Sequence, residues 1–245
     1  MRVNETAPVA PEDKQTGGSD GLDRAASHLD NSALLALAGG FLDGFTYVGH
    51  GHVFANAMTG NVVLLGIECL SGALADGLRH LPPIVMFLAG VTTAKWLETH
   101  GSQLGLKHPH FTALIIQILV LATLGFLPTG IPDLWFTATI AFAASVQVES
   151  FRRVNGRSYN STFTTGNLRT FAESTYSWLF AAGGDEARRA AIDFGVICFA
   201  FFAGAAAGGV ATMKLGNPAL WIDVALLLVV LFRVWPRGSQ QQVLA

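Results

Sequence analysis

Phe54-Ala55-Asn56-Ala57-Met58-Thr59-Gly60-Asn61-Val62-Val63-Leu64-Leu65 decides how the chain is read. Within it, Met58 to Asn61 set a hydroxyl, a glycine and an amide into apolar sequence. Thr164-Thr165-Gly166-Asn167 does the same in the second half of the chain. Thr and Asn bring donors and acceptors, and glycine brings permissive dihedrals. Polar, non-helical backbone at membrane depth survives only where protein or a water-filled cavity covers it. Two readings follow. Either the two Thr-Gly-Asn segments face each other and line a working site, or they are packing devices in which Gly lets helices approach and Thr and Asn bond across them.

Composition supports a membrane setting. Of 245 residues, 51% are hydrophobic and 13% charged, against roughly 25% charged in soluble domains, and the mean hydropathy is +0.44. The net charge of −2 gives no basic field for nucleic acid. Cys69 and Cys198 form no ligand or disulfide pattern, so no metal and no cofactor is expected. Residues 1–30 hold six acidic and three basic residues and no apolar periodicity, which predicts a disordered tail. Residues 238–245 are a second tail.

Between the tails lie apolar segments at 33–49, 53–71, 81–97, 110–127, 133–151, 160–182, 190–213 and 218–235. Spanning takes about 20 residues. Six segments qualify, and the two that carry Thr-Gly-Asn are expected as broken or re-entrant helices. A shift of 106 superimposes Thr59-Gly60-Asn61 on Thr165-Gly166-Asn167, Asp43 on Glu149, Phe45 on Phe151, Ala113-Leu114 on Ala219-Leu220, and Gln117 on Asp223. With a local insertion, Phe87 to Gly90 meets Phe201 to Gly204. The expected fold is therefore an all-α membrane protein with one membrane domain, 31–237, built from two repeats, 31–128 and 129–237.

Charge orients the halves. Eight full spans would put Arg152, Arg153 and Arg157 outside, against the positive-inside rule. Six spans, with both Thr-Gly-Asn segments entering and returning, put ten basic residues inside and only Arg79 and Lys214 outside, the tail set aside. An odd number of spans per half makes the repeats inverted, as in many secondary transporters. Both termini are then cytoplasmic, in a multi-pass membrane protein.

Gly40-Phe41-Leu42-Asp43-Gly44-Phe45-Thr46-Tyr47 and Phe54 to Gly66 resemble the signature of the YoaK family of bacterial membrane proteins, the DUF1275 domain. Asn155-Gly156, Asn160-Ser161-Thr162 and Thr165 to Leu168 are similar to its second motif. The resemblance covers nearly all of 31–237 and implies a multi-spanning inner-membrane protein of about six helices. It implies no substrate and no activity.

The candidate substrate-binding residues are Thr59, Gly60, Asn61, Thr165, Gly166, Asn167, Asp43 and Tyr47. Asp43, deep in an apolar run with no basic residue near in sequence, is a candidate for ion or proton coupling. Glu149, its repeat mate, has Arg152 and Arg153 three and four positions on, so it serves either coupling or a local ion pair. Asp223, near a helix start, is expected at the interface. Asp193 has Arg189 one turn earlier as a partner. His50 and His52 are expected as surface histidines, since a metal needs further ligands. Gly204 and Gly208 have the small-xxx-small spacing of a close helix contact.

No serine elbow, zinc motif or phosphate loop is present, so no enzyme is expected. A helix restarting after a break points free N–H groups at the gap. The expected function is thus a transporter or channel for a small solute, with an anion or weak organic acid favoured and Asp43 coupling to protons. The alternative is a non-transporting membrane scaffold or sensor. The expected partners are the lipid bilayer and a small solute, with no nucleic acid and with self-association left open.

Overall fold

A computed structural model describes residues 28–105, 109–161 and 164–235. The expectations for most of the N-terminal tail, for the C-terminal tail, and for Lys107, Thr162 and Arg237 lie outside the described residues. The chain forms α1 (Leu29–Gly49), α2 (Met58–Leu70), α3 (Leu74–Leu78), α4 (Leu81–His100), α5 (Pro109–Gly125), α6 (Asp133–Ser150), α7 (Thr164–Phe180), α8 (Gly184–Leu215) and α9 (Leu220–Val234). A two-stranded hairpin, β1 (Arg153–Val154) and β2 (Arg157–Ser158), follows α6. Each apolar segment of the sequence became a helix. Pro82 and Pro83 sit at the start of α4, where the missing N–H is harmless.

The packing repeats with the sequence. α1 packs most extensively on α8, and α4 on α6, so the first helix of each half lies on the third element of the other half. Likewise α1 meets α9 and α6 meets α5, while α5 and α9 pack on each other. Repeat-matched residues occupy matching places. Phe45 and Phe151, and Leu114 and Leu220, are all core residues.

Glycines fix the two main crossings. A Cβ on Gly40 or Gly44 would collide with the backbone of Phe201 and Ala205, and one on Gly204 or Gly208 with that of Leu37 and Phe41. α1 and α8 therefore run parallel in direct backbone contact, an approach that favours Cα–H···O contacts. Gly90 of α4 abuts Phe142 and Ser145 of α6 in the same way.

Ends of helices give the remaining directions. His50 at the end of α1 bonds Asp133 at the start of α6, and Asp30 at the start of α1 pairs with Arg233 at the end of α9, at 2.9 Å each. Phe126 packs on Trp221, and Phe111 on Trp235, so α5 and α9 are antiparallel.

Three helical stretches among the described residues are long and apolar enough to cross a membrane, namely Leu29–Gly49, Gly184–Leu215 and Asn217–Val234. Met58–Leu70 and Phe111–Gly125 are shorter apolar helices. α6 carries Ser145 and Gln147, but it buries an unbroken stretch from Ile140 to Val148, save Phe142, inside the bundle. Its polar groups face protein, the arrangement that a membrane interior permits.

Candidate functional site

The Thr-Gly-Asn segments begin helices. They do not interrupt them. After α1 the chain turns at His50 and runs back along that helix as an irregular segment from Val53 to Ala57, bent at Ala55 and Asn56, before α2 starts at Met58. α1 supplies the rail for this return. Ala55 N donates to Thr46 Oγ1 at 3.1 Å, Asn56 N to Asp43 Oδ1 at 2.7 Å, and Asn56 Nδ2 to the Gly39 carbonyl at 3.0 Å. Three acceptors, spread over seven residues of one helix face, draw the segment about 15 Å down from the end of α1.

Asn61 closes this corner. Its Oδ1 accepts from Phe54 N at 3.0 Å and its Nδ2 donates to Phe54 O at 2.7 Å, so one side chain satisfies both backbone groups of the residue seven positions earlier. Asn167 does the same for Asn160, accepting at 3.3 Å and donating at 2.6 Å. The repeated asparagine is thus a backbone clamp. The sequence offers no sign of it, because the clamped partner contributes only its main chain and is Phe in one half and Asn in the other.

The other predicted residues spread out. Asn61 and Asn167 are buried, at 0% and 4% exposure. Thr59, Thr165 and Gly166 lie on exposed faces of their helices, and Gly60 is covered by the Phe54 ring. Tyr47 is exposed and stacks on Phe54 at 4.8 Å. α2 and α7 do not pack extensively on each other, so each asparagine clamp closes within its own half. Asp43 is buried and belongs to the first corner. Glu149 pairs with Arg152 at 3.0 Å, the local ion pair that its spacing allowed.

The second corner is anchored differently. Gln147 Nε2 donates to Ser161 Oγ at 3.4 Å, where the first corner uses a carboxylate. Tyr159 N donates to Arg152 O at 3.0 Å, and the Tyr159 phenol is buried against Ala36, Phe194 and Ile197, which raises its pKa.

Three expectations are corrected. Asp193 takes Asn155 Nδ2 at 2.9 Å and Arg157 at 3.4 Å, because the hairpin delivers both beside it, and not Arg189. His50 is buried, stacked on Phe136 at 4.2 Å, and donates from Nδ1 to Asp133. Burial lowers its pKa against the pull of Asp133. Asp223 is not interfacial: it is 0% exposed, and neither carboxylate oxygen has a partner. Its repeat mate Gln117 is also 0% exposed and without a partner at either polar atom.

Sequence reasoning also missed His80. It is buried between Asn61 Oδ1, 3.3 Å from its Nδ1, and Glu68, 3.3 Å from its Nε2. As Asn61 Oδ1 can only accept, Nδ1 carries the hydrogen. Burial lowers the His80 pKa although Glu68 opposes the shift. No group of three or more His, Cys, Asp or Glu able to hold a metal occurs among the described residues.

Comparison with known proteins places this architecture. No solved structure matches. The chain is 26% identical over 151 residues to the UPF0700 transmembrane protein YoaK of Bacillus subtilis (strain 168), covering 60% of this chain and 67% of that one. The family described as a protein of unknown function, DUF1275, matches residues 32–233, nearly the whole helical domain. A chain of buried polar corners and backbone-contact helix crossings, matched over that span, is a transmembrane protein that belongs to the DUF1275 family.

Proposed function

We propose that this protein is a secondary transporter for a small weak organic acid or anion, built from two inverted halves. The carrying observation is direction. α1 runs parallel to α8, and α4 runs parallel to α6, since Gly90 abuts Ser145 and Lys95 further along α4 lies near Glu149 and Arg152, while α1 and α6 are tied head to tail at His50 and Asp133. Each repeat-related pair of long helices, α1 with α6, α4 with α8 and α5 with α9, is then antiparallel, the relation expected of inverted repeats around a midplane site. Six long helices alternate in direction on this reading, and the chain doubles back at each corner.

Asp43 supports the solute class. Its carboxylate already occupies the Asn56 amide, and the Ala57 amide also faces it, at the α2 N-terminus. It stands where a solute carboxylate would be held. A proton on Asp43 releases those donors to an incoming anion, and the anion's departure returns them to Asp43. Proton and solute anion thus move together, with Asp43 as the coupling residue and Asn61 holding the segment in place. Asn167 keeps the second corner in shape.

The test is uptake into proteoliposomes of short carboxylates and their neutral amides under an imposed pH gradient. Carboxylate accumulation that follows the gradient, and that Asp43→Asn converts to gradient-independent leak, supports the reading. Equal behaviour of empty and loaded vesicles across the panel refutes it. A scaffold is the second reading, favoured because both asparagines clamp backbone within their own half. It predicts solute-independent melting temperatures for wild type and Asn61→Ala alike.

A further inference from the structure

The α5–α9 seam holds a pair of groups that the corners do not use. Gln117 on α5 and Asp223 on α9 are repeat-related, fully buried, and without partners for any side-chain polar atom. The ring contacts at either end of the seam set the register. Gln117 lies opposite Val229 and Val230, and Asp223 opposite Thr123 and Leu124. The two groups therefore straddle the centre of the pair, about 10 Å apart along it.

The buried residues beside Asp223 on its own helix, Leu220, Val224 and Leu227, are apolar and belong to one core cluster with Leu121 and Leu124 of α5 and Phe41, Leu42 and Phe45 of α1. Among the described residues, no positive charge pairs with it. α5 carries no Asp, Glu, Lys or Arg. On α1, Asp30 is paired with Arg233 and Asp43 is bound to the Asn56 amide. His50 faces Asp133, and Asn217, in the turn before α9, donates to Leu127 O at 3.0 Å. On α6, Glu149 is taken by Arg152, and Lys214 at the end of α8 is exposed.

An acceptor-only carboxylate with no donor is among the costliest groups to bury. A hard metal cation would need several oxygen ligands, which this apolar lining does not offer. We propose that Asp223 is an occluded proton-binding site in the α5–α9 seam, filled in this conformation, with Gln117 marking the same position in the other half as a polar group that cannot titrate. Its role in coupling rests on the transport reading, but the site itself does not.

The test is infrared spectroscopy of the full chain in D2O, in phosphatidylethanolamine–phosphatidylglycerol vesicles. A protonated-carboxyl C=O band is expected at neutral pH. The spectra are compared in an Asp43→Asn background, which removes the buried carboxyl of the first corner. There the band remains, Asp223→Asn removes it, Asp223→Glu shifts it, and Gln117→Glu adds a second. Absence of the band from the Asp43→Asn chain, or its survival in the Asp43→Asn/Asp223→Asn chain, overturns the proposal. Asp223→Leu provides a check that needs no spectrum. A melting temperature equal to or above wild type fits a partnerless acid, and a fall of several degrees reveals a hidden partner and overturns the site. The proteoliposome result is independent, so failure of transport and failure of the proton site are read separately.

Discussion

The two corners of the molecule share a clamp and differ in their anchor. Asn61 and Asn167 each hold both backbone groups of the residue seven positions back. The first corner is then tied to α1 through a carboxylate, a hydroxyl and a carbonyl, and is backed by His80. Among the described residues, Gln147 reaches the second through a neutral contact, while Glu149, the acid at the Asp43 position, is taken by Arg152. The element that shapes the backbone is the same in both corners, and the charged group differs. Only the first corner buries its acid against backbone amides.

Substitutions can break this comparison at graded cost. Asn61→Ala strands Phe54 N and O and leaves His80 without its acceptor, a loss of about 3 kcal/mol, against about 2 kcal/mol for Asn167→Ala, which frees only Asn160. Chemical unfolding in micelles should give that order, and the reverse would show that the second corner carries more of the fold. Asp43→Ala removes a charge-assisted bond to Asn56 N and should cost about 2 kcal/mol, whereas Gln147→Ala should cost under about 1 kcal/mol. Proteolysis rates at 50–57 and 151–161 would read the difference.

Smaller effects sharpen it. A Cβ on Gly60 would press into the Phe54 ring, whereas one on Gly166 meets nothing within 4 Å. Gly166→Ala should therefore raise stability by about 0.5–1 kcal/mol through helix propensity, and Gly60→Ala should lower it or leave it unchanged. The smallest effect is with pH. His50 and His80 have folded-state pKa values lowered from 6.5, so the unfolded chain takes up protons first. Their stabilisation is complete above pH 6.5 and is lost as pH falls below it. Residues 151–167 contain no histidine. Amide exchange at Phe54 and Asn61 should quicken below that pH while exchange at Asn160 and Asn167 does not, and equal acceleration would place the sensitivity elsewhere.

Much of the fold was readable because it obeys local rules. Apolar length marked all eight segments, and Gly204 and Gly208 announced the α1–α8 crossing through their spacing. The repeat pointed to matching cores at Leu114 and Leu220. The candidate site was less readable. A side-chain amide that clamps main chain places no demand on its partner's identity, so Asn61 and Asn167 looked like lining residues. His50 and Asp133 are 83 positions apart, and only helix packing joins them. Asp223 resembled an interfacial acid because its place at a helix start is local information, while its burial depends on α5 and α1. Contacts that depend on tertiary placement leave no periodic trace.

The crossing of α1 with α8 carries a consequence for biosynthesis. α1 is among the first parts of the membrane domain made, yet the partner that its Gly40 and Gly44 need lies about 160 residues later. At synthesis rates of about 5–20 residues per second this is a wait of roughly 10–30 s. Through that interval α1 must stand in the bilayer with its glycine groove uncovered, and α4 likewise must wait for α6. The halves are interlocked like clasped hands. Neither can finish before the other is made, and a ribosome stalled between α5 and α6 leaves a product with nothing to close on.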